Sequence, residues 1–145
     1  MPKTLLARNA DVLVTMDGDR RELAKASLYA EDGLIKQVGP VDALPQTADT
    51  VLDMSGQIVL PGFVNCHHHL NQTLTRNLPV CQNNNLFAWL KGHYRIWANT
   101  TPEASRTSVL VGLAELALSG CTTVFDHSYV FKSGNSVDCI VEAAK

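Results

Sequence analysis

Apolar positions change their rhythm at Pro61. Before it, from Leu5 to about Ile58, they come in short runs separated by tight-turn residues, which predicts strands. Val12-Leu13-Val14 is closed by Asp17-Gly18. Ser27 to Ala30 and Leu34 to Val38 flank Glu31-Asp32-Gly33, and Asp-Gly between apolar runs predicts a hairpin. Val51-Leu52-Asp53 and Gln57 to Leu60 flank another turn at Met54-Ser55-Gly56. Short strands and tight turns of this kind suit a small β-sandwich or barrel.

After Pro61 the pattern alternates between strand and helix. Phe63 to Cys66 is a short apolar strand. Leu86 to Trp97 predicts a helix, with Phe87, Leu90, Tyr94 and Trp97 at helical spacing. Thr101-Pro102-Glu103 is a helix start: a hydroxyl cap, proline in the first turn, and an acid near the positive end of the dipole. Val109, Leu113, Leu116 and Ala117 then recur at helical spacing, and Gly120 is a C-terminal stop. Cys121 to Phe125 is the next strand and ends at Asp126-His127; a last helix starts near Ser136. Strand, helix, strand, helix predicts parallel βα units and an α/β fold. A parallel sheet needs both faces covered, and two βα units do not close one. The sequence therefore reads as the front part of a larger protein.

Composition narrows the class further. The 145 residues allow one ordinary domain with a real core. A net charge of -2 gives no reason to expect nucleic acid or an anionic membrane as a partner. No apolar stretch approaches the roughly 20 residues of a membrane span, and Met1 to Thr15 lacks the apolar core of a signal peptide. Cys66, Cys81, Cys121 and Cys139 form no CxxC pair, which predicts reduced thiols and a cytoplasmic location.

The chemistry concentrates in Pro61-Gly62-Phe63-Val64-Asn65-Cys66-His67-His68-His69. Side chains on a strand alternate between faces, so His67 and His69 project to one side and His68 to the other. In parallel α/β folds, ligands gather at the carboxyl ends of strands. Two imidazoles there can be two of the three protein ligands of a catalytic divalent metal. Asp126 and His127 close the second such strand and are expected on the same face. His68 is expected to be structural, His93 a surface residue, and Asp53, Asp126 and Asp138 turn or capping groups. Gln72 faces the site or solvates a loop, Trp97 is by default a core aromatic, and His127 is a structural histidine or a substrate contact.

The Pro61–His69 run, with its lead-in Asp53-Met54-Ser55-Gly56-Gln57-Ile58-Val59-Leu60, resembles the amidohydrolase superfamily. Gln72-Thr73-Leu74-Thr75-Arg76, Trp97 before Thr101-Pro102-Glu103, and Gly120-Cys121-Thr122-Thr123 before Asp126-His127-Ser128-Tyr129 are similar to its branch of 8-oxoguanine deaminase and triazine hydrolases. The resemblance implies residues 1–58 as the N-terminal portion of a composite β-sandwich. It implies residues 59–145 as the start of a metal-dependent (β/α)8 barrel, incomplete here. It implies one divalent metal, zinc or sometimes iron, with His67 and His69 as ligands, and Gln72, Trp97 and His127 at the substrate. The implied reaction is hydrolytic deamination of an amino-substituted purine or related heterocycle, 8-oxoguanine first. Chlorohydrolysis or aminohydrolysis of a triazine, deamination of cytosine or guanine, and a non-catalytic binding or assembly module are the alternatives. No catalytic acid or base is expected within this chain, which by itself should bind zinc weakly and be inactive. The expected partner is a small heterocyclic substrate, with the whole enzyme a candidate homo-oligomer.

Overall fold

A computed structural model describes residues 3–145. The chain divides into two compact units, residues 1–61 and 62–145. The first holds strands β1 (Thr4–Val14), β2 (Glu22–Glu31), β3 (Leu34–Pro40), β4 (Thr50–Asp53) and β5 (Ile58–Val59). They form one mixed sheet in the order β3-β2-β1-β4, with β5 also on β1. The hairpin between β2 and β3 turns at Asp32 and Gly33, whose φ values of 49° and 76° are those of the turn an Asp-Gly pair selects. β1 pairs with β4 over Leu5–Arg8 and with β5 at Val12 and Leu13. Between those stretches it bulges: Ala7 faces Leu28, and Ala10 faces Ala26. Asn9 absorbs the extra residue at φ 64°, a region that asparagine tolerates better than most residues. Its N–H donates to Ser27 Oγ at 3.1 Å. Ala10, Leu13 and Ala26 form the core of this sheet with Leu23, Leu28, Val38, Met54 and Val59.

The second unit holds β6 (Phe63–His68), α1 (Leu86–Trp97), α2 (Pro102–Leu118), β7 (Cys121–Asp126) and α3 (Val137–Ala143). β6 and β7 pair in parallel, joined by the crossover through α1 and α2. The α2 start follows from the sequence: Thr101 Oγ1 accepts from the Ala104 N–H at 3.2 Å and Pro102 opens the first turn. Gly120, at φ 82°, ends that segment in the left-handed conformation. The core here is Leu70, Val109, Ile140 and Ala143, with Leu113, Leu116 and Val124 against it. Gly112 lets α2 approach the short 3-10 turn Leu70–Thr75 that follows β6. A Cβ at Gly112 would lie 2.8 Å from Thr73 Oγ1 and 2.9 Å from Leu70 Cδ2. Phe63, Val64 and Phe125 of the two-stranded sheet remain more than half exposed.

Two expectations about α1 need correction. The stripe Phe87, Leu90, Tyr94, Trp97 is not its buried face: Phe87 and Tyr94 are exposed. His93, expected at the surface, is fully buried between Trp89 and Trp97, with ring centroids 4.1 and 4.9 Å away. The packed stripe is therefore Trp89, His93, Trp97, at i, i+4 and i+8 on the helix. All four cysteines are free. Among the described residues, no helix is long and apolar enough to cross a membrane.

Candidate functional site

The site grows from the end of β6. His67 is the next-to-last residue of the strand, and His69 is the first residue beyond it, heading the turn Leu70–Thr75. Their Nε2 atoms stand 3.2 Å apart, so both rings lie on one side, as alternation requires. His68 lies on the other side, toward α2: a Cβ at Gly112 would be 3.6 Å from its Cε1.

The end of β7 organises this pair. The His127 N–H donates to His68 O at 2.8 Å. The His127 carbonyl lies 2.6 Å from His69 Nδ1. A carbonyl only accepts, so His69 Nδ1 carries the proton and its Nε2 keeps a free lone pair in the neutral ring. The His127 ring stacks on His67, with centroids 4.5 Å apart and planes at 22°. Asp126 binds the turn rather than the open side of the site. Its Oδ1 accepts from the Leu70 N–H at 2.8 Å, and its Oδ2 accepts from the Ser128 hydroxyl at 2.5 Å. Asp126 thus ties the end of β7 to the first residue of the turn, whose N-cap is His69.

Whether the pair suits a metal is a matter of spacing and proton inventory. Zinc–nitrogen bonds of about 2.0–2.1 Å at a tetrahedral angle place two ligand nitrogens roughly 3.3 Å apart. The observed 3.2 Å fits. The fixed His69 tautomer fits as well, because a metal-binding imidazole normally donates its other N–H to a carbonyl or carboxylate. Without a cation, an Nε2–H of His67 can donate to the His69 lone pair, and a divalent ion takes the place of that proton. Among the described residues, no group of three or more His, Cys, Asp or Glu side chains is arranged to hold a metal ion. Among the described residues, the candidate donors are these two imidazoles.

The other candidates sit around this centre with different duties. Gln72 lies on the turn after His69 and is buried; its Nε2 has no hydrogen-bond partner. Its main-chain N–H donates to His69 O at 2.9 Å, and its carbonyl accepts from Thr75 Oγ1 at 3.1 Å. Trp97 is buried, with Nε1–H donating to Thr75 Oγ1 at 2.9 Å. Its indole is thus a core group whose polar atom is already used. Tyr129 bridges the two regions: its ring centroid is 5.4 Å from that of His69 and 6.0 Å from that of Trp97. Tyr129 stands two residues after His127 at the carboxyl end of β7, and that closeness is the one signal in the sequence of its place. Thr75 was missed. It joins the Trp97 indole to the turn, and its carbonyl lies 3.1 Å from His93 Nε2.

Residues 58–145 match the model of the amidohydrolase family. The chain is 46% identical over 112 residues to the 8-oxoguanine deaminase of Pseudomonas aeruginosa, covering 77% of this chain and 25% of that protein. It is 34% identical over 129 residues to the hydroxydechloroatrazine ethylaminohydrolase of Pseudomonas sp. strain ADP, covering 81% of this chain and 26% of the relative. Among solved structures it is similar to the zinc complex of atrazine chlorohydrolase from Arthrobacter aurescens TC1. The TM-score there is 0.88 at 29% identity, over 97% of this chain and 33% of the other. The chain spans about a quarter to a third of the length of these relatives. Its family model covers the paired histidines, the turn that carries Gln72 and the His127 carbonyl alike, and the chain belongs to the amidohydrolase family.

Proposed function

We propose that this chain is the metal-ligating front portion of a zinc-dependent aminohydrolase. The enzyme would replace an exocyclic amino group of a nitrogen heterocycle by oxygen. Water is consumed, the exocyclic bond from the ring carbon to the amino nitrogen breaks, a C–O bond forms and ammonia leaves. One observation carries the reading: His67 and His69 present their Nε2 atoms 3.2 Å apart while the His127 carbonyl fixes the His69 tautomer. A divalent metal held there supplies the Lewis acidity that activates water for attack on a ring carbon.

This chain's own residues hold and orient. His67 and His69 donate lone pairs. The stacked His127 ring and the Tyr129 edge limit how those imidazoles rotate. Gln72 holds a buried amide N–H without a partner in the turn after His69, which a turn of its side chain would bring to a bound heterocycle. Leaving such a donor unpaired costs about 1–3 kcal/mol, and a ring nitrogen or oxo group of a heterocycle would relieve that cost. Trp97 forms part of the wall behind Tyr129. A further metal ligand and the groups that move protons come from outside residues 1–145.

The exposed Phe63, Val64 and Phe125 support the reading of β6 and β7 as the first strands of a longer parallel barrel. The mixed sheet of residues 1–61 then contributes to a composite β-sandwich. Four free cysteines favour a reducing, cytoplasmic setting. The named relatives support an amino-substituted purine as substrate, 8-oxoguanine ahead of the triazines. The test is ammonia release by the whole enzyme from 8-oxoguanine, guanine, cytosine and hydroxylated triazines. We expect turnover of 8-oxoguanine that His67→Ala abolishes. Preference for another ring would overturn the substrate; no ammonia from any of them would overturn the reaction.

A further inference from the structure

Asn65 is not a metal ligand and is assigned no part in the chemistry above, yet it is bound to the site's backbone. Its Oδ1 accepts from the His67 N–H at 3.0 Å. At the same place β6 and β7 fall out of step. Asn65 faces Val124 and His68 faces Asp126, so three steps along β6 match two along β7. One residue of β6 is extra here, a bulge, and it offsets an opposite irregularity just before it, where Phe63 faces Cys121 but Val64 faces Thr123.

In a parallel pair every second N–H of a strand points at the same neighbour. The Phe63 N–H donates to Gly120 O at 2.9 Å, toward the β7 side. By that alternation the N–H groups of Asn65 and His67 also belong on the β7 side. The His67 N–H is instead taken by the Asn65 side chain, two residues back, a short-range bond that asparagine and aspartate make readily. The chain rejoins its partner only where the His127 N–H reaches His68 O. β1 offers a second case in the same molecule: its bulge also counts three residues against two, and there the Asn9 N–H is taken by the Ser27 hydroxyl.

We propose that Asn65 is a positioning residue for the metal-ligating pair. Its carboxamide oxygen holds the bulge open by satisfying the one N–H that would otherwise keep β6 in the register of Val64 and Asn65. A one-residue slip exchanges the faces on which side chains stand. Closing the bulge would therefore turn His67 away from His69. It would also move His69 off the His127 carbonyl, which belongs to the end of β7. The proposal rests on the metal reading of His67 and His69.

The experiment is a zinc titration of the 145-residue chain, followed by NMR through the His67 and His69 ring signals, with hydrogen exchange of the His67 amide measured alongside. Asn65→Asp keeps the acceptor and should bind zinc within about threefold of the parent. Asn65→Leu removes it and should weaken binding by about 10–100-fold, the range seen when a partner that orients a ligand is lost. The His67 amide should be protected in the parent and in Asn65→Asp, and exchange freely in Asn65→Leu. Parent-like zinc binding by a folded Asn65→Leu chain would overturn the proposal. So would Asn65→Asp binding as weakly as Asn65→Leu. Should Asn65→Leu fail to fold, an unprotected His67 amide in the parent overturns it and a protected one, with normal zinc binding in Asn65→Asp, upholds it. His67→Ala separates the two readings: a zinc response that survives it sinks the metal site itself, whatever Asn65 does.

Discussion

Two histidine clusters in the same unit use the same side chain for opposite ends. On α1, His93 is fully buried between two indoles with its ring nitrogens against main-chain carbonyls, Trp89 O at 2.9 Å and Thr75 O at 3.1 Å. A carbonyl only accepts, so the single N–H of a neutral ring serves one of them and the other nitrogen is enclosed beside the second. Nothing of that ring is left for a ligand. At the end of β6, His67 is exposed, and His69 spends only Nδ1 on the protein, leaving its Nε2 turned toward that of His67. Burial with both nitrogens enclosed marks structure. Partial exposure with paired nitrogens left over marks a site. The aromatic surroundings do not separate the two, since each cluster has them.

The comparison can be broken most forcefully at His93. While the Thr75 carbonyl keeps the Leu78 N–H at 3.3 Å, His93→Ala removes a fully buried ring from between two indoles. It should cost about 2–4 kcal/mol in urea unfolding. The same change at exposed His67 should stay within about 0.5 kcal/mol. Equal costs at the two positions would erase the distinction. Next in size is Gly112→Ala, whose methyl would press on Thr73 and Leu70 in the turn that carries Gln72. Overpacking of this kind costs about 1–3 kcal/mol, and an unchanged unfolding midpoint would show that α2 does not hold that turn.

Gln72→Leu should act with the opposite sign. It removes a buried donor that has no partner, so the chain should gain about 1 kcal/mol, while the whole enzyme should show a raised KM. A loss of stability would mean that the Gln72 amide is satisfied within the chain. The smallest effect concerns Arg76 and Glu115, a two-bond ion pair between the turn and α2, at 2.5 and 2.6 Å. Its hydrogen bonds to the guanidinium hold the Glu115 carboxyl below its ordinary range. The folded value being the lower one, the contribution is present above the usual glutamate pKa of about 4.3 and disappears as pH falls through the depressed value. Both groups are well exposed, so the change is small. Urea midpoints of the parent and Arg76→Met should converge in acid; a gap that widens there would contradict the sign.

The alternation of His67 and His69, the α1 and α2 boundaries and the Asp-Gly hairpin were legible because each rests on local rules. The buried face of α1 was not. Leu86, Phe87, Trp89, Leu90, Tyr94, Ile96 and Trp97 surround the helix with apolar groups, so periodicity alone selects no face. The choice was made by Thr75, whose hydroxyl and carbonyl receive Trp97 and His93 from 22 and 18 residues away. The bulges at Asn9 and Asn65 were equally hidden, since each is defined by a register with a distant strand. At the candidate site the paired imidazoles were legible in the sequence, but what aims them was not. The His127 carbonyl is a main-chain atom, and main-chain atoms leave no mark in the residue pattern.

The most direct test of the central claim is a zinc titration of the 145-residue chain read by NMR at every histidine ring. Weak, saturable binding should move the His67 and His69 signals together, leave His93 unmoved, and vanish in His67→Ala. Zinc that leaves both His67 and His69 untouched, or tight stoichiometric zinc that survives His67→Ala, would contradict the account.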